Sequence, residues 1–546
     1  MQLIDQHTKQ IMEGCKARAR EAGLRFQEET LEYIVTNRDL LELSPKLMIP
    51  TLYDYWVHDV EVMKEKGRYE LYPGNPFETV INTRPAISFY NDNNPDWLNV
   101  MIFYHVLAHI DFFQNNLFFR HTWDYDLTGQ ALSDKRLIAR LRSEKGRWVD
   151  YVIEFGRGID NLVGYFDELS RMNRPVAAPQ SKRIDFYFDV FLQSLKKAKV
   201  HEYIGEIERY NACRRNNGEL GEQEFFAGVA RKYPEFEAIY EKSRGKKSHR
   251  KMDLMEFLLD NSEFLAKDEN KWMQSVLQVI RKTSIYFQPQ IRTKIMNEGW
   301  ASYWHEKLFL EDERIRGNEV SFARVHAQVT SLPRVGLNPY ALGMRLFTDI
   351  EEKAEKGKLS AEFDRLQGAE ARSRYDAATG RGRETIFKIR ENFCDFTFIN
   401  TFVDQDFVDR NNLFVADRRL NRSRMVWEYF VKSRKATDYR TMLQGTLYHP
   451  PHITVDPEKG GADGALYLVH LFEGKPLVQD FIRNTMIGLE YLWGKPVSLE
   501  TSEAVAKEPP RRSTTGLSGG DDQPPPVEWK RVLYTMDNRK LSKTTL

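Results

Sequence analysis

Tyr104-His105-Val106-Leu107-Ala108-His109-Ile110-Asp111-Phe112-Phe113 is the stretch on which the reading of the chain turns, together with Met296-Asn297-Glu298-Gly299-Trp300-Ala301-Ser302-Tyr303-Trp304-His305 far downstream. Both are dense in apolar and aromatic residues and free of Pro, so both predict buried helices. In a helix, His105 and His109 stand one turn apart on one face, the spacing at which two imidazoles share a metal ion. A histidine pair among aromatics is often no more than a hydrogen-bonded part of a core. The acidic residue in the second apolar helix shifts the balance, because a buried Glu is rare unless it is paired or coordinating. Glu298 would add a carboxylate oxygen to two nitrogens and leave a fourth position open, the donor set of a catalytic zinc site. His305 lies seven residues beyond Glu298, on the same face but about 10.5 Å further along the axis. It is therefore expected to support the ligands or to serve another ion, rather than to share this one.

Around these stretches the chain reads as α+β: a large, mainly helical N-terminal domain over 1–424, a small α+β domain over 425–502, a flexible linker over 503–527 and a terminal strand and tail over 528–546. Residues 2–36 read as one or two amphipathic helices, and Leu52 to Trp56 opens another. Thr79 to Tyr90 is β-branched and aromatic and reads as a strand or strand pair, with Pro85 marking an edge or a bulge. Trp97 then starts the histidine helix. An edge strand running straight into a metal-binding helix is the order found in zinc peptidases, an analogy that suggests a zincin-like domain.

Further on, 119–175 reads as helical packing anchored by Trp148, Tyr151, Phe155 and Tyr165. Pro289 is expected to bend the chain into the Glu298 helix, and Asn338-Pro339 reads as a helix cap followed by Pro at the first helical position. In the smaller domain Met425–Val431, His452–Val455 and Leu466–Phe472 read as strands and 476–493 as a helix. His449, His452 and His470 there read as ordinary sheet residues.

With 546 residues, 80 Lys and Arg against 79 Asp and Glu, and a net charge of +1, nothing global points to a nucleic-acid surface. The start of the sequence lacks a basic segment followed by an apolar one, and no apolar run approaches about 18 residues, so a cytoplasmic protein without a membrane span is expected. Cys15, Cys213 and Cys394 are too few and too scattered for a disulfide frame. Walker A, dinucleotide-binding and Cys-x-x-Cys motifs are absent, and Gly516-Leu517-Ser518-Gly519-Gly520 falls in the linker without the strand and helix that a nucleophile elbow requires.

Four stretches together resemble the stage V sporulation protein R (SpoVR) family: His105-Val106-Leu107-Ala108-His109 with Phe112-Phe113; Lys294 through His305; Gly336-Leu337-Asn338-Pro339-Tyr340-Ala341-Leu342-Gly343; and Leu468-Val469-His470-Leu471-Phe472-Glu473-Gly474-Lys475-Pro476-Leu477. The resemblance implies a role in forming the peptidoglycan cortex of spores or, since relatives occur in bacteria without spores, in the wider envelope or its stress response. It also implies protein partners from that pathway.

Glu298-Gly299-Trp300-Ala301-Ser302-Tyr303 further resembles the second-helix signature of gluzincin-like metallopeptidases. That likeness makes His105, His109 and Glu298 zinc ligands and Tyr303 a donor to an oxyanion, in a metal-dependent amide or peptide hydrolase. Val106 departs from the pattern, standing where a His-Glu-x-x-His site carries its general base. Asp111 and Glu306 are the candidates to replace it. The rival reading is a non-catalytic scaffold or regulator of cell-wall or sporulation proteins, with a structural His/Glu cluster.

Overall fold

A computed structural model describes residues 2–27, 29–36, 39, 78–124, 127–163, 182–196, 200–217, 220–244, 253–333, 335–421, 424, 426–447, 450–456, 459–460, 464–472, 476–506 and 527–546. The fold is α+β and mostly helical, with small sheets. The first sheet has the order β1-β2-β4-β3, built from β1 (Gln2–Leu3), then, after helix α1 (Gln6–Glu21), β2 (Thr30–Val35), β3 (Glu78–Ile81) and β4 (Ala86–Asn91). Residues 30–35, expected to be helical, are therefore a strand. Their β-branched and aromatic side chains pair parallel with β4 in register Thr30↔Ala86 to Val35↔Asn91, a long-range partnership that outweighs local periodicity. The 79–90 stretch is the expected strand pair: β3 and β4 are antiparallel, and β3 is the sheet edge. Pro85 sits in the turn between them rather than inside a strand.

β4 leads into α2 (Asp96–Asn115), which is buried along its whole length from Leu98 to Phe113, as a helix apolar on every face must be. Next come α3 (Leu127–Lys145) and α4 (Trp148–Arg157). The α4 side chains that enter the core are Val149, Val152 and Ile153, with Phe155 packed against it as expected, whereas Trp148 and Tyr151, also expected as anchors, lie half exposed. Tyr165, residues 52–56 and His449 fall outside the described residues.

α5 (Lys271–Arg292) continues past Pro289, and the break comes at Thr293, whose hydroxyl donates to the Pro289 carbonyl at 2.7 Å. α6 (Lys294–Glu311) starts at once and carries Glu298. It is followed by α7 (Glu319–Thr330), α8 (Pro339–Glu355), α9 (Gly382–Asn392) and α10 (Asp395–Phe402). α8 begins as the sequence predicts: the Asn338 side chain accepts from the amides of Tyr340 and Ala341, with Pro339 at the first helical position.

β5 (Val415–Asn421) and β6 (Val426–Ser433) form a separate two-stranded ribbon, and α11 (Ala436–Thr446) returns to the first core, to which Ala436, Tyr439, Leu443 and Leu447 contribute. The change of core thus follows Leu447, and the compositional shift near 425 falls on the ribbon. Beyond it, β7 (Ile453–Val455), β8 (Leu466–His470), β9 (Val497–Ala506), β10 (Val527–Asp537) and β11 (Lys540–Thr545) make a five-stranded sheet of order β11-β10-β9-β8-β7. α12 (Gln479–Trp493) crosses between β8 and β9, which run parallel. This sheet shares a second core with α3, α4 and α5, so the C-terminal unit is packed on the helical body.

Candidate metal centre

The site forms where α2 and α6 pass each other. Gly299 and Gly343 set how closely α6 can approach α8: a Cβ on Gly299 would lie 2.3 Å from the Gly343 backbone, and one on Gly343 would lie 2.1 Å from the Ile295 carbonyl. Only glycine permits that contact. The first turn of α6 is held from a distance, since the fully buried Asp395 carboxylate accepts from the amides of Ile295 at 2.8 Å and Met296 at 2.9 Å. Burial pushes the Asp395 carboxyl up to about 7 despite those two donors. α2 is tied to α6 through the Trp300 indole, which donates to Asp111 at 2.9 Å, and to the chain after α6 through the Tyr104 hydroxyl, which donates to Asp312 at 2.7 Å.

So placed, His105 and His109 are both buried, their rings perpendicular with centroids 4.6 Å apart. Both present Nε2 to the same carboxylate oxygen: Glu298 Oε2 lies 3.9 Å from His105 and 3.6 Å from His109. These separations are too long for hydrogen bonds. Two ligand atoms of one tetrahedral zinc stand about 3.3 Å apart, closer than Glu298 Oε2 stands to either nitrogen, so the three groups would draw together to share a cation. One ligating atom from each of His105, His109 and Glu298 lies within 4.8 Å of the others, a group of potential metal ligands among the described residues.

The remaining ring nitrogens have partners of their own. His109 Nδ1 is 2.9 Å from Asn297 Oδ1, which fixes the proton on Nδ1 and leaves Nε2 as the lone-pair nitrogen. His105 Nδ1 is 2.9 Å from His305 Nδ1, His305 Nε2 is 2.9 Å from His326 Nδ1, and His326 Nε2 is 3.4 Å from the partly exposed Glu306. Burial, and then neighbouring imidazoles, hold His105 and His305 well below the usual histidine range, so both stay neutral. Neutral imidazole is the form that ligates metals. Tyr340, from the Asn338-Pro339 helix, stacks on His105 with centroids 6.1 Å apart.

Of the residues singled out in the sequence, the structure brings together His105, His109 and Glu298, with His305 in the supporting position and Glu306 reached through His326. Asp111 and Tyr303 point elsewhere. Asp111 accepts from Trp300 and from the Arg25 amide at 2.7 Å, and lies 3.3 Å from the buried Arg390 guanidinium. The Tyr303 hydroxyl bonds Lys307, which pairs with Glu351 at 2.6 Å, and the Tyr303 ring stacks on Trp300. Sequence reasoning missed Asn297, His326 and Asp395. Asn297 stood directly beside Glu298, but only the angle between the two helices shows which histidine it meets.

The SpoVR signature, described as "SpoVR like protein", matches residues 2–447. The chain belongs to the SpoVR family. The matched region ends where the first core ends and stops before Leu468–Leu477. A relative from Escherichia coli (strain K12), named "Uncharacterized protein YcgB", is 24% identical over 385 residues, covering 68% of this chain and 67% of its own length. No solved structure matches. Among the described residues, no helix is long and apolar enough to cross a membrane.

Proposed function

We propose that this SpoVR-family protein binds one divalent cation, zinc, through His105 Nε2, His109 Nε2 and a Glu298 oxygen, and works as a metal-dependent amide hydrolase of zincin-like character in spore-cortex or envelope peptidoglycan formation. The supporting observation is the convergence of these three groups at separations that suit a common cation and no direct hydrogen bond. The family's association with the cortex supplies the biological setting. Zinc would supply Lewis acidity at its open fourth position.

The chain's own residues supply orientation and a route for protons. With Nε2 engaged, His105 would donate from Nδ1 to His305 and His305 from Nε2 to His326, both held neutral, and His326 Nε2 faces Glu306 at 3.4 Å at the outer end of the series. Glu306 is thus the carboxylate connected to the site without ligating it, and this reading gives it the proton-accepting role. Asp111 is assigned to holding α2 and α6 together. Elemental analysis of the purified chain tests the reading. The expectation is about one equivalent of a transition metal, lost in His105→Ala and in Glu298→Gln. Less than about a tenth of an equivalent, unchanged in both variants, would remove it.

A second reading, a non-catalytic scaffold or regulator, is favoured by one feature. Val106 is fully buried where a peptidase of this class carries its base. Full cellular function in a metal-free Glu298→Gln protein would select that reading over the first.

A further inference from the structure

The β5–β6 ribbon stands apart from both larger sheets. An isolated two-stranded ribbon is marginal in water unless something adds a strand or covers a face. The register places Leu420 opposite Trp427, Arg418 opposite Tyr429 and Ala416 opposite Val431 on one face. That face is open: Leu420 is 41% exposed, Trp427 55%, Tyr429 60% and Val431 45%, with the Arg418 guanidinium 4.8 Å from the Trp427 ring. The opposite face carries Phe430, 42% exposed, between two ion pairs, Asp417 with Lys432 at 2.9 Å and Arg419 with Glu428 at 3.6 Å. One edge of β6 pairs with β5, and among the described residues its other edge pairs with no strand. Natural sheets blunt such an edge with charges, prolines or a covering element.

Here the charges are arranged to pair with themselves. In a two-fold antiparallel arrangement, opposed residues of the same strand have numbers with a constant sum. A centre on Phe430 opposes Glu428 to Lys432 twice, Tyr429 to Val431 twice, and Phe430 to its own copy. A centre on Glu428 or Lys432 would oppose like charges, and a centre on Tyr429 would set Lys432 against Val426. The centred register therefore forms two opposite-charge pairs and two aromatic–β-branched pairs, the kinds that stabilise adjacent strands. We propose that β6 is the edge along which two copies of this chain pair, antiparallel about Phe430, joining two ribbons into one four-stranded sheet with an isologous interface.

Light scattering coupled to gel filtration, or sedimentation, on the full chain at micromolar concentration should show a dimer. Glu428→Lys opposes Lys to Lys, and Lys432→Glu opposes Glu to Glu, so each alone should weaken the dimer by about tenfold. An equimolar mixture of the two restores both opposite pairs and should recover the dimer, which a merely local effect on folding would not do. Phe430→Cys should form a disulfide-linked dimer under mild oxidation, beyond any crosslinking of the wild type. Val426→Cys should not, because its two copies would lie roughly 27 Å apart. A monomeric wild type, no recovery on mixing, or crosslinking equal at both positions overturns the proposal.

Discussion

Two regions of this molecule bury carboxylates and histidines, and they treat them in opposite ways. In the C-terminal sheet every such group is answered by another side chain. Glu500 accepts from the Tyr467 hydroxyl at 2.9 Å and from Lys459 at 3.0 Å and also bonds Arg531; Glu503 bonds Tyr534 and Lys543; His470 Nδ1 is 2.8 Å from the Thr501 hydroxyl. Between α2 and α6, Glu298 faces two imidazole nitrogens at 3.6 and 3.9 Å and bonds neither. A fold that merely needed a polar core would close those distances, because an unmade buried bond costs more than a made one contributes. The first arrangement is a satisfied polar network, and the second is the one the proposed cation would use.

The largest expected effect removes the brace that holds the second arrangement open. Asp111→Ala deletes the acceptor for Trp300 and the nearer counter-charge of Arg390, which is fully buried, with Glu391 at 3.8 Å and the rings of Trp300 and Phe387 as its other neighbours. Leaving that buried guanidinium with only the more distant Glu391 should cost about 3 kcal/mol in chemical denaturation. A loss under about 1 kcal/mol would mean that Asp111 does not hold the two helices together. Gly299→Ala comes next, because its Cβ meets the Gly343 backbone rather than a flexible side chain. Forcing α6 and α8 apart should cost about 2–3 kcal/mol and lower metal content in the folded fraction.

Asp395→Asn sharpens the comparison through pH. The Asp395 carboxyl is near 3.8 when exposed and is raised to about 7 in the fold, where burial is the dominant cause. Between those values the folded chain keeps a proton that the unfolded chain has released. Stability therefore falls as pH rises from about 4 to about 7 and is level outside that window. Asp111, raised to about 6 chiefly by burial, adds to the same slope. Asn at 395 cannot titrate, so denaturation midpoints measured across this range should show a shallower decline than in the wild type. An unchanged slope would show that Asp395 is not the group responsible.

What the sequence made legible was whatever a local rule determines. The four-residue interval of His105 and His109, and the Asn338-Pro339 cap, follow from helix geometry alone, and the structure places both as expected. What stayed hidden depends on elements distant in the chain. Residues 30–35 looked helical because their partner β4 comes some fifty residues later. Trp148 and Tyr151 looked like anchors because apolar identity does not say which side of a helix meets the core. The ribbon's composition suggested a domain boundary near 425, but α11 carries the chain back into the first core as far as Leu447. His326 and Asn297 carried no signal, since their roles arise only once α2, α6 and α7 are assembled.

The smallest effect on stability is the most diagnostic. Glu500→Gln strips a buried carboxylate of its charged partners and should cost about 1–2 kcal/mol. Glu298→Gln removes a less deeply buried negative charge, and in chelator-treated protein it should change stability by no more than about 0.5 kcal/mol, since no hydrogen bond between Glu298 and the two histidines is lost. With metal restored, the wild type alone should gain thermal stability, because a ligand that binds only the folded chain shifts the unfolding equilibrium. If Glu298→Gln costs as much as Glu500→Gln in the absence of metal, then the cluster between α2 and α6 is a structural network of the same kind as the one in the sheet. If the cost appears only when metal is added, the distances around Glu298 are those of a ligand set.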